Sequence, residues 1–353
     1  MFSILKKEIK IFFGSLTGYL AIIIFLLAAA LFLWVFPGQY NIPENGYATL
    51  EGFFSLAPWL YLFLIPAITM RFCAEEKRIG TIEILLTRPV TDFDLVFSKF
   101  LAGLFLVFCT LIPTLLWFLS VYLLGNPVGV IDTGATWGSF AGLFFLASIY
   151  ISIGIFASSL TDNQIVSFIL AMALSFTFFV GFDFVAGSGV PYFLQQLLSL
   201  MSINSHYLSV SRGVLDIRDM LYFAGITSLF LWITAGFLRK GKWKKKKYRI
   251  RAATVFVVIP LIIIISDNIF YRIDLTSDKR YTLSAVSSEV VRGMESHAEV
   301  ELFLSGKLEP GLRKLQQEVF EKVAVLNALS GKSIRIYTTD LYAMANIDKR
   351  EQL

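Results

Sequence analysis

Long runs without a charged residue dominate this sequence. Six of them hold a predominantly apolar helix of the length that crosses the hydrocarbon core of a bilayer, about 20 residues. Charged residues make up only 16% of the chain, against about 25% in a soluble domain. The sequence therefore predicts an all-α polytopic membrane protein with a six-span bundle. The predicted spans lie near 17–36, 55–71, 100–122, 139–160, 164–183 and 219–238.

The chain continues beyond these spans. A basic linker at 239–251 holds nine of the 31 Lys and Arg residues, and an apolar run at 252–271 predicts a seventh transmembrane helix. Because this basic excess lies between two apolar runs, juxtamembrane anchoring explains it better than nucleic-acid binding. The remaining segment, 272–353, alternates as strands at Val300–Leu304 and Ser333–Thr338. A helical pattern at Leu312–Leu329 separates them, which predicts a partial extracytoplasmic α/β region.

The distribution of Lys and Arg predicts the orientation. Basic residues precede the first span and fill the loop after the second, whereas 37–54 and 123–138 contain none. By the positive-inside rule, the N-terminus lies in the cytoplasm and 272–353 lies outside. The chain is thus predicted to reside in a bacterial cytoplasmic (inner) membrane, with a periplasmic C-terminus.

Residues 1–16 are predicted to form an amphipathic helix at the cytoplasmic interface, ahead of the permease-like bundle at 17–238. Apolar residues recur there at helical spacing, and lysines lie opposite them, toward lipid phosphates. A simple extension of the first span is the alternative. The lysines are Lys6, Lys7 and Lys10.

The loop at Met70–Phe100 is long enough to leave the membrane, form a short helix and return. Gly80 interrupts the pattern and Thr81 can cap a helix, which Pro89 ends. Thr91 or Asp92 can start the next helix. The apolar residues of the short helix need a partner if they are exposed. Packing against the neighbouring spans is the alternative for these residues, which are Ile82, Leu85 and Leu86.

Three motifs carry a resemblance to a known family. The loop reads Glu75-Glu76-Lys77, then Gly80-Thr81-Ile82-Glu83, Leu85-Leu86, Arg88-Pro89-Val90 and Lys99. A tight turn follows at Ser158–Val166, and Asn204-Ser205-His206-Tyr207 precedes Arg212-Gly213-Val214-Leu215-Asp216. In this order, and with six spans, the motifs resemble ABC-2-type transporter permeases, most closely the gliding-motility GldF type, over 1–238. The stretch Phe270–Ser284 resembles the start of a GldG-type accessory subunit just after its membrane anchor, so 239–353 looks like a truncated partner.

The resemblance implies a permease that works without its own ATPase activity. No G-x-x-x-x-G-K-[ST] phosphate loop occurs in the sequence, so ATP would be hydrolysed by a separate ABC ATPase subunit, and the chain itself is expected to bind no cofactor. The implied partners are that ATPase, a second permease copy or another membrane subunit, a GldG-type accessory protein and the lipid bilayer, but no nucleic acid. The residues implied to couple to the ATPase are Glu75, Glu76, Gly80, Thr81, Ile82, Glu83, Leu85, Leu86 and Pro89.

Several alternatives remain open from the sequence. The loop glutamates are either solvated charges or partners of basic residues on the ATPase. Asp183 lies at the outer end of the fifth span, where it either reaches water or belongs to the substrate path. His206 is expected to be a surface residue, and no metal site or nucleophile–base pair is visible. A scaffold that converts ATPase cycling into mechanical or assembly work is the alternative to an export-type transporter associated with gliding motility.

Overall fold

A computed structural model gives the fold of two compact units, Met1–Ser277 and Asp278–Leu353. The predicted linker 239–251 and the predicted seventh span 252–271 lie outside the described residues. The structure describes residues 2–87, 89, 91–186, 194, 198, 200–238, 272–279, 281–282, 284–294, 296–304, 310–330 and 334–339.

The first unit is a helical bundle with a small two-stranded sheet. In the described part, a π-helical turn at Thr177–Gly181 joins two of its helices. The helices are α1 (Phe2–Phe13), α2 (Leu16–Trp34), α3 (Ile42–Asn45), α4 (Glu51–Thr69), α5 (Ala74–Ile79), α6 (Thr81–Thr87), α7 (Asp92–Leu111), α8 (Leu115–Leu124), α9 (Thr133–Leu160), α10 (Gln164–Phe176), α11 (Phe182–Ala186), α12 (Ile203–Val210) and α13 (Ile217–Phe237), and the strands are β1 (Val214–Asp216) and β2 (Arg272–Asp274).

Six stretches of this unit are long and apolar enough to cross a membrane, which confirms the predicted fold class. Most of them begin at a polar cap, because the first backbone N–H groups of a helix need acceptors that lipid does not supply. Thr91 forms a capping box with Asp94 at the start of α7, as the sequence suggested. The stretches are Leu16–Trp34, Glu51–Ile79, Asp92–Leu124, Thr133–Leu160, Gln164–Ala186 and Ile217–Phe237.

Helix α9 is the central element and packs against α4, α7, α10 and α13. Glycines allow the close approach of its neighbours, as small residues do in membrane bundles. A Cβ placed on Gly154 would lie 2.1 Å from Thr69 Oγ1 of α4, and one on Gly103 of α7 would lie 2.7 Å from Ile151 Cγ2. The helices therefore meet at these two positions with almost no intervening space.

The start of α9 meets the small sheet, at what we term the β1 end of the bundle. Strands β1 and β2 pair antiparallel, with Leu215 opposite Ile273. The chain after β2 stays on the bundle, because the Leu275 amide donates to Gly213 O and Ser277 Oγ donates to Asp132 Oδ1 at 2.9 Å. The first six residues of the segment that the sequence assigned to the extracytoplasmic region thus belong to the first unit.

The second unit contains a β-α-β arrangement. It comprises α14 (Ala285–Arg292), β3 (Ala298–Leu302), α15 (Pro310–Leu329) and β4 (Ile334–Thr338). Strands β3 and β4 are parallel, so α15 serves as the crossover between them. The two predicted strands and the helix between them are present, and the first strand begins two residues earlier than the alternation indicated.

Candidate functional site

A buried charge network joins three elements at the end of the bundle that carries α1, which we term the α1 end. Lys99 of α7 is 0% exposed. Its Nζ atom lies 2.6 Å from Glu8 Oε1 of α1 and 2.9 Å from Glu76 Oε2 of α5. Lys99 also donates a hydrogen bond to the carbonyl oxygen of Phe72. Lys7 Nζ lies 2.6 Å from Glu76 Oε1, which closes the network on its exposed side.

The network is balanced in charge, with two carboxylates and two ammonium groups. A buried charge without a partner is costly, and a pair is retained only where geometry and hydrogen bonds compensate for lost hydration. Each of these ions therefore needs the others to remain in place. The consequence is that α1, α5 and the first part of α7 are held together as one assembly.

The last turn of α9 fixes the turn between α4 and α5. Ser158 Oγ accepts hydrogen bonds from the amides of Cys73 and Ala74, each at 2.9 Å, and donates to Met70 O at 3.1 Å. Lys77 Nζ donates to the carbonyl oxygen of Ser159. The turn and the beginning of α5 are thereby attached to the central helix of the bundle.

A glycine joins α5 to α6. Gly80 has φ +78°, the left-handed conformation that favours glycine at the end of a helix. Beyond it, Ile82 of α6 is buried, and Leu85 packs against the core. Ile79 and Ile84, in contrast, are 61% and 60% exposed. One exposed aliphatic side chain thus lies before the Gly80 turn and one after it.

The predicted coupling residues therefore divide into buried and exposed groups. Ile82 and Leu85 contact the bundle, which is the alternative that the sequence left open for them. Glu76 is neither a solvated charge nor free for another protein, since it pairs with two lysines of its own chain. Glu75 is half-buried, Glu83 and Pro89 are exposed, Thr81 Oγ1 donates to Glu76 O at 3.4 Å, and Leu86 lies in α6 with its side chain outside the described residues.

Helix α1 is separate from α2, and its buried face carries Ile4, Glu8 and Phe12. Lys6 and Lys10 are exposed on the helix. Sequence reasoning missed Glu8, although an acid spaced four residues from apolar neighbours on each side was a usable signal. Lys99 and Ser158 stood in the motifs, but sequence reasoning assigned neither of them a role.

At the β1 end, Asp183 Oδ2 accepts a hydrogen bond from Asn204 Nδ2 at 3.1 Å. His206 is not the surface residue that the sequence suggested. Its Nδ1 atom lies 2.7 Å from Asp219 Oδ1, and its ring stacks on Tyr222 with centroids 3.9 Å apart. Burial raises the pKa of Tyr207, which stays neutral and donates to Phe54 O at 2.7 Å. A role for Asp183 in a substrate path stays a prediction.

No group of His, Cys, Asp and Glu suited to a metal ion occurs among the described residues. The six candidate spans define a polytopic membrane protein, with a buried charge network at the α1 end.

The comparison with family models gives the family. The model described as "ABC-2 family transporter protein" matches residues 4–267, and the chain belongs to that family. It is therefore a transmembrane permease subunit of an ABC transporter, which functions in the membrane with an ABC ATPase subunit. Residues 277–353 match a second model, described as "Domain of unknown function (DUF7088)". A comparison with curated proteins gave no match.

Proposed function

We propose that the ABC ATPase binds this chain at α5 and α6, and that the α1 end faces the cytoplasm. The exposed pair Ile79 and Ile84 carries the proposal, because exposed aliphatic side chains grouped at one turn are typical of a protein contact. The orientation is supported by the basic residues near this end and by the lack of Lys and Arg in 37–54 and 123–138.

The proposed docking turn is connected to the rest of the bundle by short polar contacts. Displacement of α6 would reach α5 through Gly80, and then α1 and α7 through Glu76 and Lys99. The bonds of Ser158 would carry the same displacement to α9. Closure of the ATPase subunits around ATP would then supply the energy for an inward/outward rearrangement of the spans, since nucleotide binds the closed state more tightly.

The proposal also includes a direction and a setting. We infer an export-type permease that works as a dimer or with a second membrane subunit, beside a GldG-type accessory protein in gliding motility. These finer assignments are supported by the sequence resemblance of the loop, the Ser158–Val166 turn and the Phe270–Ser284 stretch. They do not enter the test of the docking surface.

An Ile84→Asp variant is expected to lose its binding to the ABC ATPase subunit. A charge at the centre of an apolar contact removes buried area and adds a desolvation cost, so the loss should be at least about 2 kcal/mol, or about 30-fold in affinity. The measurement is co-purification of the co-expressed ABC ATPase with the full chain, followed by titration of purified ATPase to obtain the dissociation constant.

Val286→Asp is the matched control, since Val286 is 71% exposed and lies in the second unit. It should bind the ATPase as the unmodified chain does. Ile79→Asp should reproduce the loss. Normal ATPase binding by both Ile79→Asp and Ile84→Asp would show that the docking surface lies elsewhere.

A further inference from the structure

A cleft opens at the α1 end between α1, the start of α2 and the end of α4. Helix α2 begins at Leu16 and helix α4 ends at Thr69, and both ends lie beside the cleft. Because both helices belong to candidate spans, the cleft lies at the level of lipid headgroups. Gly18 permits the close crossing of α1 and α2, because a Cβ there would lie 2.6 Å from Phe12 O. The lining residues that bear on its chemistry are Glu8, Ile11, Phe12, Ser15, Thr17, Ile68 and Arg71.

Arg71 is the unexplained group in this cleft. The residue is half-buried and its Nε atom is buried without a hydrogen-bond partner. Its guanidinium also forms no ion pair with any residue that the structure describes. A buried guanidinium nitrogen of this kind is costly unless an acceptor reaches it. The protein thus presents a cation and a donor for which its described residues supply no acceptor.

The neighbouring carboxylates do not fulfil this need. Glu8 lines the cleft, but its Oε1 atom lies 2.6 Å from Lys99 Nζ. The two carboxylates of the buried network are already balanced by Lys7 and Lys99. Arg71 is therefore an uncompensated positive charge, and the cleft favours an anion.

The lining of the cleft is both polar and apolar. Ser15 and Thr17, whose hydroxyls are 3.2 Å apart, line it together with Arg71. Ile11, Phe12 and Ile68 contribute apolar surface. A ligand that fits must combine an oxyanion with hydrocarbon, and guanidinium forks are suited to phosphate oxygens.

We propose that this cleft binds the phosphate of an anionic phospholipid. The exposed apolar surface of α2 favours a lipid over free phosphate. This surface begins beside the cleft with Leu16 and Leu20, which are 83% and 52% exposed, and acyl chains can pack along it. The net positive charge favours an anionic over a zwitterionic headgroup. The proposal requires only that the spans cross a bilayer, and it is independent of the ATPase surface and of the transport direction.

The test titrates the full chain in detergent with phosphatidylglycerol, phosphatidylcholine or inorganic phosphate, and counts bound lipid by native mass spectrometry. Arg71→Gln should raise the dissociation constant of the first phosphatidylglycerol by at least about tenfold, the value expected for hydrogen bonds to a charged group. Arg78→Gln is the matched control, since Arg78 is exposed on α5, and it should bind as the unmodified chain does. Phosphatidylcholine should bind the unmodified chain more weakly than phosphatidylglycerol, because its choline cation offsets the phosphate charge.

Thr17→Val provides a test that leaves every charge in place. Loss of one neutral hydrogen bond should raise the same constant about threefold. Equal phosphatidylglycerol binding by Arg71→Gln and Arg78→Gln would overturn the proposal, as would an unchanged constant for Thr17→Val if Arg71→Gln does not fold. Displacement of the lipid by equimolar inorganic phosphate would overturn the assignment to a phospholipid.

Discussion

Replacing Lys99 with methionine is expected to lower the free energy of unfolding by about 3–5 kcal/mol, the cost of removing one partner from a buried ion pair. Methionine fills similar volume, but the buried carboxylates of Glu8 and Glu76 then face each other's charge without the ammonium group between them. The carbonyl oxygen of Phe72 loses its hydrogen bond as well. The substitution should therefore loosen α1 and the turn that leads into α5.

Cys73 reports this loosening locally. Its side chain is 0% exposed and follows Phe72 directly. In a Cys109→Ser background, which leaves Cys73 as the only cysteine, the unmodified site should resist a maleimide reagent, whereas the Lys99→Met variant should be labelled. The same samples give the unfolding midpoint by a thermal scan.

Two controls distinguish disruption of the buried charge network from a general effect of removing a lysine. Lys10→Met removes an exposed charge from α1 and should change neither Cys73 labelling nor the midpoint. Adding Glu8→Gln and Glu76→Gln to Lys99→Met removes the unbalanced carboxylates and should recover about half of the lost stability. If Lys99→Met melts like the unmodified chain and protects Cys73, then apolar contacts alone hold α1 in place.

The spans could be predicted from the sequence because the requirement that lipid imposes can be checked along the chain, without knowing which residues meet in space. Only a helix without free backbone groups and with few charges crosses hydrocarbon, so uncharged runs of sufficient length mark the spans. For the third span the uncharged run begins at residue 100, whereas the helix that contains it begins at Asp92, where the sequence allowed a cap. What the charge rule could not show is that Lys99, in the second turn of this helix, is buried. Its charge is neutralised by residues far away in the sequence.

The contacts of the candidate site could not be predicted, because they join residues far apart in the chain. Lys99 and Glu8 are 91 positions apart, and Cys73 and Ser158 are 85 positions apart. Helical periodicity determines which residues share a face, but it does not determine what that face contacts. For α6, periodicity placed Ile82 and Leu85 on one side and Ile84 off it, but it left open whether that side packs on the bundle, as the structure shows it does.

At the other end of the bundle, Gly213→Ala is expected to cost about 1–2 kcal/mol for its backbone conformation and about 1–3 kcal/mol more for overlap with α9. Gly213 has φ +84°, and a Cβ there would lie 2.4 Å from Ala135 Cα. Because that neighbour is helix backbone, it cannot rotate away as the end of a flexible side chain would. The turn or the start of α9 must shift instead.

The shift should release the segment after β2. The Leu275 amide donates to Gly213 O at 3.0 Å, so its hydrogen exchange reports whether the segment remains attached. We expect protection of this amide to be lost in Gly213→Ala, together with a lower unfolding midpoint. The release matters because residues 277–353, which match the second family model, continue directly from this segment.

Gly46→Ala distinguishes the two contributions. Gly46 has φ +68°, but nothing lies within 4 Å of the Cβ it would gain. This variant should show only the conformational cost of about 1–2 kcal/mol and should leave the exchange of Leu275 unchanged. If both variants lose equal stability and both keep Leu275 protected, the contact between Gly213 and Ala135 is not what positions this segment. If only Gly213→Ala exposes Leu275, the close approach of Gly213 to α9 is what positions the segment after β2 on the bundle.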